Sequence, residues 1–188
     1  MSMTNPNLFV VTGGPGSGKT TVLLELQKRG YSFAAEVARQ IIQEQVQSKG
    51  KALPWADREH YTRLMLERSI ESYVAQAPAT EIKFSDRGIP DTLTYARLIG
   101  LIDDAYIRRA CEEYRYASRV VVAPPWEEIY ETDSERKQDF GEALRTHELN
   151  VLVYRECGYE LIELPKISPQ ARADFIIHEL AREAAYPR

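Results

Sequence analysis

Eight residues near the start of the chain constrain its fold most strongly, because they fit the spacing G-x-x-x-x-G-K-[ST] of a phosphate-binding P-loop. They are Gly13, Gly14, Pro15, Gly16, Ser17, Gly18, Lys19 and Thr20. An apolar run at 8–11 precedes the motif and a helical stretch at 21–28 follows it, which is the context that the motif requires. An ordinary glycine-rich turn is the alternative, but every fixed position of the motif is filled. The loop therefore predicts binding of a nucleoside triphosphate.

Each part of this loop has a chemical reason. Glycines allow the backbone N–H groups to turn toward a phosphate, and the helix N-terminus adds the positive end of its dipole. We expect Lys19 to bridge the terminal phosphates and the Thr20 hydroxyl to hold Mg²⁺, with Thr21 beside them at the nucleotide. ATP is the expected substrate, and nothing in these residues excludes GTP.

Composition limits the class of protein. The chain has 188 residues, of which 44% are hydrophobic and 28% charged, so we expect one soluble domain over 1–188. A formal net charge of −4 disfavours a nucleic-acid partner. Cys111 and Cys157 are far apart in sequence and are expected to be reduced thiols. Without an apolar run of membrane length or a secretory signal, the cytoplasm is the expected location.

The hydrophobic pattern alternates between strands and helices. The predicted strands are 7–12, 31–34, 81–86, 119–123 and 158–164. The predicted helices are 18–29, 35–42, 55–77, 90–99, 103–116, 140–157 and 169–185. Such alternation predicts a parallel sheet of about five strands covered by helices on both faces. This three-layer α/β/α architecture, together with the P-loop, is the expected fold of a P-loop NTPase. Ligands bind at the carboxyl ends of such strands, where the P-loop, Glu36 and Asp86 all fall.

Asp86 and Arg87 come directly after the third predicted strand. A carboxylate at that position suits Mg²⁺ together with Thr20, and a guanidinium beside it suits neutralisation of phosphate charge. The alternatives are that Asp86 is a simple strand-end or helix-capping residue and that Arg87 forms a surface salt bridge.

Several stretches together carry a family resemblance. They are the P-loop, Glu36 with Arg39, Asp-Arg-Gly-Ile-Pro-Asp at 86–91, Pro-Pro-Trp-Glu-Glu-Ile-Tyr at 124–130, Asp-Ser-Glu-Arg at 133–136 and Gly-Tyr-Glu-Leu at 158–161. The chain resembles, over nearly its whole length, a family of small AAA-like ATPases. That family is similar to the NadR-type ribosylnicotinamide kinase domain and, more distantly, to deoxynucleoside and thymidylate kinases.

The resemblance implies roles for further residues. Glu36 matches the acid that acts as a base toward the acceptor hydroxyl, although an acidic residue in a first helical turn is also stabilised by the helix dipole. A lid-like segment at about 126–140 would close over the phosphates with Arg136, or would be a solvated charged loop. The loop at 165–168 would hold the nucleotide base. Asp91 is either a helix cap or a substrate contact.

Two functions follow from these expectations. The first is a small-molecule kinase that transfers the ATP γ-phosphate to a hydroxyl of a nucleoside-like acceptor, with Lys19, Arg87 and Arg136 stabilising charge and Glu36 as base. The alternative is an ATP- or GTP-hydrolysing switch that acts on a protein or lipid partner. A protein that only binds nucleotide is the third possibility.

Overall fold

The computed structural model describes residues 2–101, 104–130 and 140–185. The strands are β1 (Met3–Thr4), β2 (Leu8–Gly13), β3 (Ser32–Ala34), β4 (Lys83–Asp86), β5 (Tyr114–Arg115), β6 (Arg119–Ala123) and β7 (Glu160–Glu163). The helices are α1 (Lys19–Lys28), α2 (Val37–Ser48), α3 (Arg58–Gln76), α4 (Ile89–Leu98), α5 (Ala105–Glu113), α6 (Phe140–Glu156) and α7 (Pro169–Ala185), with a 3₁₀ turn at Glu127–Ile129. No helix in these ranges is long and apolar enough to cross a membrane.

The main sheet confirms the predicted fold class. Its five strands are all parallel in the order β3-β4-β2-β6-β7, so the strand before the P-loop lies at the centre. The carboxyl ends of β4 and β6 flank the P-loop on its two sides. Two short strands of two residues each, β1 and β5, form a separate parallel pair that was not predicted, because two residues are too few to show a hydrophobic periodicity.

Side chains alternate along β2 and divide the core into two halves. Leu8 and Val10 pack in the cluster beneath α3, α4, α5 and α6, whereas Phe9 and Val11 pack in the cluster beneath α1 and α7. Because successive strand residues point to opposite faces, this alternation builds the three layers.

Several boundaries differ from the sequence-based expectation; the helix predicted at 35–42, for example, is Val37–Ser48. Two of the differences have a clear local reason. The helix predicted at 55–77 begins at Arg58, because the Asp57 carboxylate accepts a hydrogen bond from the His60 N–H at 2.9 Å and caps that end. The helix predicted at 103–116 ends at Glu113, because Tyr114 and Arg115 pair with β1.

Candidate active site

The P-loop wraps from the end of β2 into α1 and packs tightly against its neighbours. Gly13 has a φ of 141°, and a Cβ there would collide with the Ala123 carbonyl of β6. Gly18 precedes α1 with a φ of 81°, a left-handed conformation that favours glycine. These two positions explain why the loop can lie so close to the sheet and still turn its N–H groups toward the pocket.

Lys19 is buried at the start of α1. Its Nζ donates to the carbonyls of Gly13 and Gly14 at 3.1 and 2.8 Å, so the amine lies inside the loop. Burial and, to a smaller extent, the charge of Arg87 lower the pKa of Lys19 to about 8, against the opposing effect of nearby carboxylates such as Asp86. A phosphate in the loop would therefore gain a nearby cation that is poorly solvated and poised to interact with it.

Asp86 ends β4 next to Val11 of the central strand. Its carboxyl is buried and its Oδ1 has no hydrogen-bond partner. Burial raises the pKa of Asp86 to about 6; Glu36 and Asp91 add to the rise, while Lys19 opposes it. A buried carboxylate oxygen without a donor fits a cation ligand, and the Mg²⁺ role of Asp86 stays a prediction.

Oxygen donors suit Mg²⁺ at this place. The exposed Thr20 hydroxyl at the first turn of α1 and the Asp86 carboxylate are the hard ligands that this ion prefers, and nucleotide phosphates and water normally complete its shell. No group of three or more His, Cys, Asp or Glu side chains in the described ranges forms a metal site. The pair of Thr20 and Asp86 is consistent with an ion that arrives with the nucleotide.

Arg87 is not a surface residue with a surface salt bridge. Its Nε donates to the Glu36 carboxylate at 2.7 Å, and its Nη1 donates to the Gly13 carbonyl at 2.9 Å and to Asp91 at 3.0 Å. Its backbone has a φ of 70°, which costs on the order of 1–3 kcal/mol in a residue with a side chain. The guanidinium is thus fixed between the P-loop backbone and two carboxylates.

Glu36 lies at the N-terminus of α2, opposite the P-loop. Burial raises its pKa, but the charges of Arg87 and Lys19 and the hydrogen bond from Arg87 outweigh burial and lower the pKa of Glu36 to about 2. A carboxylate with so low a pKa accepts a hydrogen bond well and is a weak proton acceptor. The low pKa, which depends on the contact with Arg87, therefore disfavours the expected role of Glu36 as a proton acceptor.

Asp91 was predicted to be either a cap or a substrate contact, and the structure supports the cap. Its Oδ2 accepts from the Gly88 N–H at 2.9 Å at the start of α4. The same buried carboxylate also accepts from Thr12 at 2.6 Å, Tyr154 at 2.6 Å and Asn150 at 3.3 Å. Together with Arg87, these donors join the P-loop strand, β4 and α6 around one charge.

Sequence reasoning did not identify Asn150 and Tyr154. Their spacing of four residues places them on one face of α6, where two polar side chains interrupt an otherwise apolar stripe. That interruption is the one signal that could have found them; their partner Asp91 lies about sixty residues away in sequence.

A pocket of about 510 Å³ opens beside the P-loop. Its lining includes residues 16–21, Glu36, Trp126, Ile129, Ile167 and Arg172. Ser168, in the loop expected to hold the base, also lines it. The sequence-based prediction gave Arg172 no role, and it included Trp126 only as part of the lid-like segment. Arg136 and most of the predicted lid, positions 131–139, lie outside the described residues.

Comparison with known families identifies the chain's relatives. A family profile described as an AAA domain matches residues 8–172, which is most of the chain. The chain belongs to this AAA domain family. No curated protein matches the sequence.

Solved structures similar to this AAA domain include several kinases. A NadR protein in complex with NR superimposes with a TM-score of 0.73 at 20% identity, over 92% of this chain and 51% of the NadR chain. Shikimate kinase from Acinetobacter baumannii gives a TM-score of 0.58 at 18% identity, covering 95% and 94% of the two chains. Thymidylate kinase from Ehrlichia chaffeensis gives 0.60 at 16% identity, covering 94% and 99%. This AAA domain spans about half the length of the NadR protein, and the likeness establishes the kinase fold.

Proposed function

We propose that this AAA domain is a kinase that transfers the γ-phosphate of ATP to a hydroxyl of a nucleoside-like small molecule. The observation that carries the proposal is the position of Glu36. It lines the same pocket as the P-loop residues and is held there by the Arg87 guanidinium at 2.7 Å. A hydrogen-bond acceptor beyond the terminal phosphate is what an acceptor hydroxyl needs for in-line attack.

The charges around the proposed transfer path are arranged to stabilise a polyphosphate. Lys19 Nζ and Arg87 Nη1 both donate to the Gly13 carbonyl, at 3.1 and 2.9 Å, so two cations lie close together at the P-loop. Phosphoryl transfer depends mostly on positioning and electrostatic stabilisation, so a weakly basic Glu36 is adequate to orient the acceptor. Mg²⁺ would be held by Thr20 and Asp86 and would neutralise charge on the phosphate oxygens.

The similar structures support the class of the acceptor. One NadR structure contains NR and another contains NAD and AMP-PNP, and the remaining relatives named above are kinases of small molecules. An acceptor with a ribose-like hydroxyl agrees with these neighbours and with a pocket in which Glu36 faces the P-loop. Residues of the predicted lid, Arg136 among them, are proposed to complete the site from the segment at 126–140.

ADP formation from ATP and Mg²⁺ across a panel of nucleosides, including ribosylnicotinamide, tests the proposal. We expect slow basal turnover that one or a few nucleosides accelerate, and loss of that acceleration in Glu36→Gln, which keeps the side-chain size and removes the charge. Glu44→Gln, an exposed glutamate later on α2, is the matched control and should behave like the wild type.

The opposite result supports the hydrolytic alternative. Rapid phosphate release that no nucleoside changes, and that Glu36→Gln leaves intact, would mean that water is the acceptor and that the protein is a nucleotide-hydrolysing switch.

A further inference from the structure

One arginine outside the proposed transfer path is buried without a carboxylate partner. Arg172, on the first turn of α7, is 2% exposed and is the largest of the fully buried side chains. Its Nε donates to the Pro165 carbonyl at 2.8 Å and its Nη1 to the Ser17 carbonyl at 2.9 Å. Its guanidinium carbon lies 4.8 Å from the centre of the Trp126 ring. Three segments that border the nucleotide pocket therefore meet at one side chain.

The charge of Arg172 is not balanced within the described part of the chain. Arg87 is paired with Glu36, and Arg119 with Glu179 at 2.9 Å, but the two acceptors of Arg172 are neutral carbonyls and its Nη2 has no acceptor. Burial alone lowers the pKa of Arg172. An uncompensated buried charge costs several kcal/mol, and an anion bound in the pocket would supply the missing counter-charge.

The nucleotide pocket is where a ligand could supply that counter-charge. Arg172 lines it together with residues 16–21, and its Nη1 lies 3.2 Å from the place a Cβ of Gly18 would occupy. The Glu128 carboxylate is engaged by Trp126, from whose indole N–H it accepts a hydrogen bond at 2.9 Å. A polyphosphate in the P-loop would bring several negative charges to the N-terminus of α1, next to this guanidinium.

We propose that Arg172 is a positioning residue of the nucleotide pocket. Its positive charge favours the binding of a polyphosphate. Its planar guanidinium fixes the Ser17 carbonyl, the Pro165 carbonyl and the Trp126 ring relative to one another. The inference deepens the proposed function but rests only on nucleotide binding by the P-loop, not on the identity of the acceptor. A merely structural Arg172 would tie α7 to the loop and would affect all ligands equally, whereas a charge acting on polyphosphate distinguishes ligands by their number of phosphates.

The experiment uses tryptophan fluorescence in the full chain. The chain has two tryptophans, and Trp55 is 61% exposed, so a Trp55→Phe background leaves Trp126 as the reporter beside Arg172. ATP, ADP and AMP are titrated with Mg²⁺ into this background and into its Arg172→Gln and Arg172→Lys derivatives. Arg29→Gln is the matched control, since it removes the same charge at the C-terminal end of α1, away from the P-loop, where Arg29 pairs with Glu25 and Asp174.

We expect Arg172→Gln to weaken ATP binding by roughly tenfold or more, the size that Coulomb's law gives for one cation near a polyphosphate, and to weaken AMP binding much less. Arg172→Lys keeps the charge, so it should preserve the ATP-to-AMP affinity ratio. It should weaken the binding of both nucleotides, because it lacks the planar guanidinium that makes two hydrogen bonds. Arg29→Gln should leave the ratio unchanged.

Equal losses for ATP and AMP in Arg172→Gln, or no loss at all, would overturn the proposal. If Arg172→Gln does not fold, Arg172→Met takes its place as the uncharged variant in the same comparison of ATP with AMP. A reduced ATP-to-AMP affinity ratio in Arg172→Lys, which keeps the charge, would also contradict a role for charge. Nucleotide binding that depends on Arg172 in this way, without transfer to any nucleoside, would refute the proposed kinase and leave this inference standing. Absence of ATP binding by the unmodified background would refute both.

Discussion

The hydrogen bond between Tyr154 and Asp91 gives a prediction whose size follows from the structure. Tyr154 is fully buried, and its hydroxyl donates to the Asp91 carboxylate at 2.6 Å. Tyr154→Phe removes that one donor and leaves the ring in the core. Since a hydrogen bond to a charged group contributes about 1.5–3 kcal/mol, we expect the free energy of unfolding to fall by about that amount. Urea denaturation followed by circular dichroism measures the change.

Tyr159→Phe is the matched control. Its ring packs 5.7 Å from that of Tyr154 in the same core cluster, but its hydroxyl accepts only a neutral 3.3 Å bond from the Tyr116 N–H. Loss of such a bond is expected to cost about 0.5–1.5 kcal/mol. Equal destabilisation by the two substitutions would refute the view that Asp91 is a charged centre joining α6 to the P-loop strand.

Three further predictions concern the charged groups of the pocket. Because the pKa of Asp86 is raised to about 6, Mg²⁺ affinity measured with bound ATP should weaken as pH falls through 6, and Asp86→Asn should remove that dependence. Because the pKa of Lys19 is lowered to about 8 and phosphate favours its charged form, the protein should take up a proton when it binds ATP above pH 8. Calorimetry in buffers of different ionisation enthalpy measures this uptake, which should be absent in Lys19→Ala. Lys19→Ala should also raise the barrier for transfer by at least about 2–4 kcal/mol; unchanged turnover with an identified acceptor would contradict the assigned role.

The features that could be predicted from sequence are those whose signal is local. The P-loop spacing, the apolar strands and the proline in the first turn of α4 can each be recognised within a few residues of sequence. The alternation of strands and helices then predicts the five-stranded parallel sheet. Asp86 and Arg87 were found because they stand at the end of such a strand.

The remaining features depend on contacts between distant parts of the chain. The sequence around Asp91 does not predict that Asn150 and Tyr154 donate to it. In the same way, the sequence around Arg172 does not predict that the Ser17 and Pro165 carbonyls accept from it. The sequence gives the chemical type of each of these side chains, but their burial and hydrogen-bond partners are determined only when the helices pack on the sheet.

Glu36 shows a subtler difference between sequence and structure. Its place after β3 was sufficient to nominate it, but its protonation behaviour is determined by Arg87, which lies 51 residues away in the chain. That contact lowers the pKa of Glu36 to about 2, against the effect of burial, and changes the expected role from a proton acceptor to a group that orients a hydroxyl.

Transfer of the γ-phosphate itself is the most direct test of the account. ATP carrying heavy oxygen in its γ-phosphate is incubated with Mg²⁺, the protein and each nucleoside, and the products are resolved by mass spectrometry. We predict labelled phosphate on a nucleoside hydroxyl, formed by the wild type and lost in Lys19→Ala. Label that appears only in inorganic phosphate, with every nucleoside recovered unmodified, would contradict the central claim.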